Sequence, residues 1–393
     1  NGEGVRQDYA EAFKWFKLAA DQGHAYAQFY VGELYMNGDG VRQDYAEAFK
    51  WFKLAAEAAD QGSPNPRAQY MLGRMYFEGD GVHQDNAEAF KWFKLAADRG
   101  NSDAQYMLGH MYFYGTGVHQ DLAEMLKWYK LSANQGNSDA QYMLGRMYSY
   151  GTGVHQDDAE AFKWYKLSAN QGNSDAQYWL GFLYFFGDGV RQDYAEAFKW
   201  YKLSADQGNP DAQLKLGRMY EDGKGVRQDY AEAFKWFKLA ADRGNSDAQY
   251  RLGRMYFEGD GVRQDYAEAF KWFKFLADRG IPNPRAQYML GRMYEDGKGV
   301  RQDDAEAFKW YAEAFKGYKF LADLSNSDAQ YWLGRMYEDG KGVRQDYVEA
   351  LKWYKLAADR GNSDAQYRLG RMYFEGDGVR QDYAEAKEWF GKS

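Results

Sequence analysis

Between residues 101 and 136 the chain reads NSDAQYMLGHMYFYGTGVHQDLAEMLKWYKLSANQG, and its apolar residues fall three and four positions apart. Ala104, Leu108, Met111 and Tyr112 make one stripe of a short helix. Asn101 stands before it as an N-cap. Sister segments place proline directly after the equivalent asparagine, at Asn65-Pro66, Asn209-Pro210 and Asn283-Pro284, where its fixed φ and missing N–H suit a first helical turn. Gly115 and Gly117 predict the end of this helix, and Gly109 leaves room for a second helix to approach. Asp121 and Glu124 then have the D-x-x-E spacing of a capping box. They open a second helix, closed by Gly136, whose apolar face in the sister segment at 85–98 is Ala89, Trp92, Phe93 and Ala96.

This helical pair recurs along the whole chain. A tryptophan follows lysine at Trp15, Trp51, Trp92, Trp128, Trp164, Trp200, Trp236, Trp272, Trp310 and Trp353, and follows glutamate at Trp389. Most steps are 36 residues, with longer ones of 41, 38 and 43. A helix of about three turns is marginal alone, so the units must stack and share one continuous core. The expected fold is an all-α, right-handed α/α superhelical solenoid over residues 1–393, with about eleven second helices and ten first helices. Its register is irregular near 55–66, 279–284 and 310–325. In the last of these, AEAFKWYAEAFKGYKF repeats seven residues, which lengthens the second helix by about 10 Å and turns its face by only about 20°. That helix is expected to protrude, and Ser325 closes it where other copies have glycine, marking a candidate bend.

Ala68, Leu72, Gly73, Tyr76, Gly79, Gly81, Val82, Asp85, Ala89, Trp92, Phe93, Ala96 and Ala97 follow the pattern of the Sel-one-like repeat family, relatives of the tetratricopeptide repeats. The resemblance covers essentially the whole chain. It implies a scaffold or adaptor that binds other proteins, with the first helices lining a concave face. A cysteine-rich bacterial branch of that family is linked to penicillin binding, and this chain has none of those cysteines.

Within the first helix, the positions equivalent to 107, 110 and 114 change from unit to unit and share one face away from the packed stripe. Six units carry Arg and an acid there four residues apart: Arg74 and Glu78, Arg218 and Asp222, Arg254 and Glu258, Arg292 and Asp296, Arg335 and Asp339, Arg371 and Glu375. Such pairs contribute a few tenths of a kcal/mol and predict a solvated wall. In three consecutive units, Met107-His110-Tyr114, Met143-Arg146-Tyr150 and Trp179-Phe182-Phe186, an aromatic replaces the acid, with Phe113 and Phe185 beside two of them. With first helices about 10 Å apart these rings are expected to form a patch about 20–30 Å long. Trp179, Phe182 and Phe186, with Tyr150, Tyr114 and Arg146, are then expected to anchor a peptide or protein ligand, and Met107, Met143 and His110 to line the same groove. Trp332 lies on the same stripe, just past the long helix, and marks a second contact surface. The alternative for these rings is that they complete the core beneath the preceding loop.

Composition narrows the chemistry. Hydrophobic residues are 45% and aromatics 19%, ample for a packed core, and the net charge of −8 disfavours a nucleic-acid partner. No cysteine is available for a disulfide, a thiol nucleophile or a thiolate metal site, and no apolar run reaches membrane-spanning length, so membrane insertion is not expected. His83, His119 and His155 fall one per loop and cannot share a metal, while His24 and His110 are isolated. The Gly-Asp-Gly and Gly-Lys-Gly loops lack phosphate-loop and calcium-loop spacing, and no nucleophile stands with a base, so neither a cofactor nor catalysis is expected. The chain starts without Met and within a repeat; uncapped terminal repeats give a self-associating spacer as the alternative function, and a penicillin-interacting hydrolase as a distant one.

Overall fold

The computed structural model describes residues 8–57, 65–279 and 283–393, in which the regular structure is helical and no strand is present. The helices fall into two compact units, one ending at Gln207 and one starting at Gly208. The first holds α1 (Tyr9–Asp21), α2 (Ala25–Asn37), α3 (Tyr45–Glu57), α4 (Pro66–Glu78), α5 (Asn86–Asp98), α6 (Ser102–Tyr114), α7 (Leu122–Asn134), α8 (Ser138–Tyr150), α9 (Asp158–Asn170), α10 (Ser174–Phe186) and α11 (Tyr194–Asp206). The second holds α12 (Pro210–Asp222), α13 (Tyr230–Asp242), α14 (Ser246–Glu258), α15 (Tyr266–Ala277), α16 (Pro284–Asp296), α17 (Asp304–Asp323), α18 (Ser327–Asp339), α19 (Tyr347–Ala358), α20 (Ser363–Glu375) and α21 (Tyr383–Lys392). Within each unit every helix packs on the next in sequence, which is the α/α solenoid arrangement. Among the described residues the odd-numbered helices are the second helices of the repeat and the even-numbered ones the first.

Helix ends follow the side chains that satisfy them. Asn101 Oδ1 accepts the Ala104 amide at 2.8 Å to start α6, and Pro66, Pro210 and Pro284 occupy the first turn of their helices. Gly115, in the left-handed region at φ +70°, ends α6 and donates its N–H to the Met111 carbonyl. Asp121 Oδ1 accepts the amides of Ala123 and Glu124 at 2.9 and 3.0 Å, but only this half of the expected capping box forms. The Asp121 N–H is already donated to the Tyr112 carbonyl at 3.1 Å. Glu124 therefore turns outward, accepting from Lys127 and, at 3.0 Å, from the Trp128 indole.

Ala104, Leu108 and Met111 are fully buried as their spacing predicts, and Tyr112 is half-buried with its ring edge-on to Phe90. On the second helices the packing differs from the expected face. Trp92 is only half-buried, whereas Phe93 after it is inaccessible to solvent. The two aromatics divide the labour. Phe93 lies over Gly73 of its own hairpin, so close that a Cβ there would sit 2.5 Å from the ring, and Tyr129 makes the same contact with Gly109. Trp92 instead packs on the core of the preceding repeat, around Phe52 and Leu72, and so closes the junction between repeats. Lys94 adds a cation over the Trp128 ring at 5.1 Å in the same way.

A buried polar ladder joins α5, α6 and α7. Gln105 Nε2 donates to the Ala97 carbonyl at 3.1 Å while its Oε1 accepts from Gln135 at 2.6 Å, and Ser132 Oγ donates to the Ser102 carbonyl at 2.7 Å. These bonds satisfy a side chain that is otherwise costly to bury and fix the angle between neighbours.

The seven-residue duplication is accommodated inside one helix. α17 has 20 residues where α13 has 13, and Ser325 after it adopts φ +67°. The irregularities expected near 55–66 and 279–284 fall largely on residues 58–64 and 280–282, outside the described residues.

Candidate functional site

The aromatic residues of α8 and α10 form a continuous run of ring contacts. Trp179 lies edge-on to Tyr150 (centroids 6.0 Å, planes 87°) and meets Phe182 at 5.3 Å; Phe182 meets Phe186 at 4.5 Å, and Phe186 meets Phe185 at 5.0 Å. Tyr150 is 57% exposed and Phe186 50%, but Trp179 and Phe182 are half-buried and pack on the core residues Leu180, Leu183 and Tyr165. The indole of Trp179 lies parallel to the buried Tyr165 ring on α9, which is why it does not stand free in solvent.

One repeat upstream the arrangement is similar but looser. Tyr114 is 62% exposed and rests on His110 at 4.6 Å and Phe113 at 4.7 Å. Met107 and Met143 are half-buried fillers against neighbouring core clusters. Burial lowers the pKa of His110, and its buried Nδ1 has no hydrogen-bond partner, which favours the neutral imidazole. Arg146 is exposed and holds its guanidinium over the Tyr142 ring at 5.9 Å. The surface therefore offers flat apolar faces, one cation and a neutral imidazole.

Four of the six expected Arg–acid pairs form: Arg74–Glu78 (3.0 Å), Arg254–Glu258 (2.8 Å), Arg335–Asp339 (3.4 Å) and Arg371–Glu375 (2.9 Å). The other two do not, because a lysine two residues beyond the acid reaches it instead: Asp222 pairs with Lys224 and Asp296 with Lys298. Arg292 turns to the Phe257 ring. Sequence spacing also did not reveal the ion pairs that cross repeats, Arg251–Glu221 at 2.8 Å and Arg368–Glu338 at 3.3 Å.

Trp332 on α18 repeats the stacking of Trp179. It lies parallel to Tyr318 of α17 at 5.9 Å and meets Tyr288 at 5.1 Å. Beside it opens a cavity of about 340 Å³ lined by Arg218, Asp247, Arg285 and Trp332 among others, adjoining a smaller one of about 230 Å³ reached by Arg251 and Arg254. The sequence signal for this feature was Arg285, which stands where Asp103, Asp139 and Asp328 stand in sister units. Among the described residues no cluster of three His, Cys, Asp or Glu could hold a metal ion, and no helix is long and apolar enough to cross a membrane. His83, His119 and His155 are exposed, one in each loop.

Comparison with known proteins identifies the repeat. The family model described as Sel1 repeat matches eleven segments, 1–24, 25–60, 66–101, 102–137, 138–173, 174–209, 210–245, 246–281, 284–317, 327–362 and 363–393. A crystal structure of c5321, described as a protective antigen of uropathogenic Escherichia coli strains with an SLR fold, is 39% identical over 98% of this chain and 80% of its own, with a TM-score of 0.77. The structure of a Sel1 repeat protein from Oxalobacter formigenes is 33% identical over 84% of this chain and 94% of its own, with a TM-score of 0.55. Among curated proteins none matches the chain.

Proposed function

Because the chain belongs to the Sel1 repeat family, whose solenoids generally serve as protein–protein interaction scaffolds, we propose that it is a non-enzymatic scaffold that docks a peptide or protein on the aromatic face of α6, α8 and α10. The observation that carries this reading is the ring run Tyr150, Trp179, Phe182, Phe186: its outer members are half exposed while its inner members are held rigidly by the core. Rigid aromatics with exposed faces supply contact area at low entropic cost, and they are the residue types that dominate binding energy at interfaces. Tyr114, His110, Met107, Met143 and Arg146 extend the same face one and two repeats upstream. In this reading the first helices line the concave groove of the array.

The test is affinity capture with the intact chain beside a Tyr150→Glu/Phe186→Glu variant. A protein retained by the first and lost from the second, with purified components reproducing the difference, is the expected result. Equal capture by both chains sinks the docking face. Light scattering over a concentration series separates this function from that of a self-associating spacer, whose mass would grow with concentration.

A further inference from the structure

The cavity beside Trp332 gathers charges that the rest of the repeat array pairs off. Arg218 on α12 has lost its expected acid, since Asp222 pairs with Lys224, and its Nε is buried without a partner. Arg285 on α16 places an exposed cation where most sister repeats carry an aspartate, as Arg67 does on α4. Asp247 on α14 is unusual in the opposite sense. In sister repeats the equivalent aspartates accept from an asparagine 34 residues on, as Asp103 does from Asn137, Asp211 from Asn245 and Asp328 from Asn362. Thirty-four residues after Asp247 the sequence has Ile281 rather than asparagine, and the capping asparagine of the next first helix, Asn283, lines the same cavity as Asp247. Burial holds the Arg218 guanidinium below its usual range; the like charges of Arg251 and Arg285 act in the same direction, and the carboxylates of Asp247 and Glu221 oppose them. A partly desolvated guanidinium with an unpartnered Nε gains from an incoming anion.

We propose that this cavity binds an extended acidic peptide segment: Arg218 and Arg285 take a side-chain carboxylate, Asp247 accepts a peptide N–H, and Trp332 with Pro284 and Leu321 receives an apolar side chain. Two observations favour a peptide over a free oxyanion such as phosphate. Arg218, Asp247, Arg285 and Trp332 stand on four successive first helices, a layout that follows an extended chain. The wall also offers a carboxylate, Asp247, which repels a compact polyanion but suits a ligand that brings N–H donors with its acid groups. The site lies in the second unit, and the inference does not depend on the ring run around Trp179.

The experiment uses the intact chain and two capped octapeptide libraries, one with two fixed glutamates flanking a fixed phenylalanine, the other with glutamine in place of glutamate. The acidic library is expected to be retained about tenfold more than the glutamine library, with Arg285→Gln reducing that retention about fivefold. Arg285 is exposed, so its variant should melt as the parent does, which separates lost binding from lost fold. Arg218→Gln should act in the same direction, and the Tyr150→Glu/Phe186→Glu chain should retain the acidic library in full. Equal retention of the two libraries, or retention indifferent to Arg285→Gln, overturns the proposal. Binding of inorganic phosphate that depends on Arg285 and competes out the peptide entirely would also overturn it, reducing the site to a simple oxyanion pocket.

Discussion

Trp179 lies face to face with Tyr165, the two ring centroids 6.2 Å apart and the planes within 10° of parallel. The indole, itself half-buried, thereby packs on a phenol that is wholly inaccessible and joins the core to the proposed docking face. Burial raises the pKa of Tyr165, as expected of a hydroxyl that the indole and its neighbours shield from water.

Trp179→Ala should therefore show two losses. Affinity for a captured partner should fall by roughly 2 kcal/mol or more, and the melting temperature should fall as well, because the stacked lid over Tyr165 is removed. Phe186→Ala, at a half-exposed ring, should reproduce the first loss with little of the second. Titration calorimetry and thermal melts on both variants check the split; a Trp179→Ala chain with unchanged affinity contradicts the docking face.

Glycine at the helix crossing is a steric requirement. A Cβ on Gly109 would stand 2.5 Å from Tyr129 Cδ1, so Gly109→Ala should cost about 1–3 kcal/mol as the ring is forced aside. Gly136 is at φ +93° with open space around it, and Gly136→Ala should cost only the backbone strain, about 1 kcal/mol. Chemical denaturation of the two variants should rank them in that order.

Ser325 holds the left-handed conformation, φ +67°, that glycine occupies at this turn in sister repeats. Ser325→Gly should stabilise the chain by about 0.5–1 kcal/mol, seen as a higher melting temperature. No gain would mean that the side chain offsets the strain.

Glu295 joins the long helix to the loop that follows α18, accepting from Tyr311 Oη at 2.7 Å and pairing with Lys341. Burial alone would raise its pKa, but the two hydrogen bonds and the lysine charge outweigh it and hold the carboxyl below its ordinary value. A depressed carboxyl stabilises the fold above its unfolded pKa, and that contribution is lost as pH falls through the folded value. Glu295→Gln should melt earlier than the parent near neutral pH, with the gap closing below about pH 4. A gap independent of pH would show that the ion pair contributes nothing.

Helix positions were legible in the sequence because each end carries its own chemical marker, asparagine or aspartate at the start and glycine past the end, and because repetition averages out local ambiguity. Burial was less legible. Trp92 marks the repeat in the sequence, yet Phe93 fills the hairpin core, since only the latter faces Gly73; which of two adjacent aromatics points inward depends on the angle between helices. Spacing placed Arg218 near Asp222 but could not weigh against it Lys224, which takes that carboxylate from the following turn. Nor could it show that Trp179 and Phe182 would be half-covered, which depends on a ring from α9 rather than on α10 itself. The cavity beside Trp332 draws its residues from four successive repeats and is written in no single segment.

At the junction of α9 and α10 one aromatic serves both neighbours: Tyr165 lies over Gly145 behind it and under Trp179 ahead. In α17 the task is split, with Tyr311 lying over Gly291 and Tyr318, seven residues on, under Trp332. A second helix can thus be lengthened by two turns without disengaging from the first helix on either side. Seven residues are a smaller increment of growth than the whole repeat, one through which such a chain can alter the spacing of its surfaces while every joint stays closed.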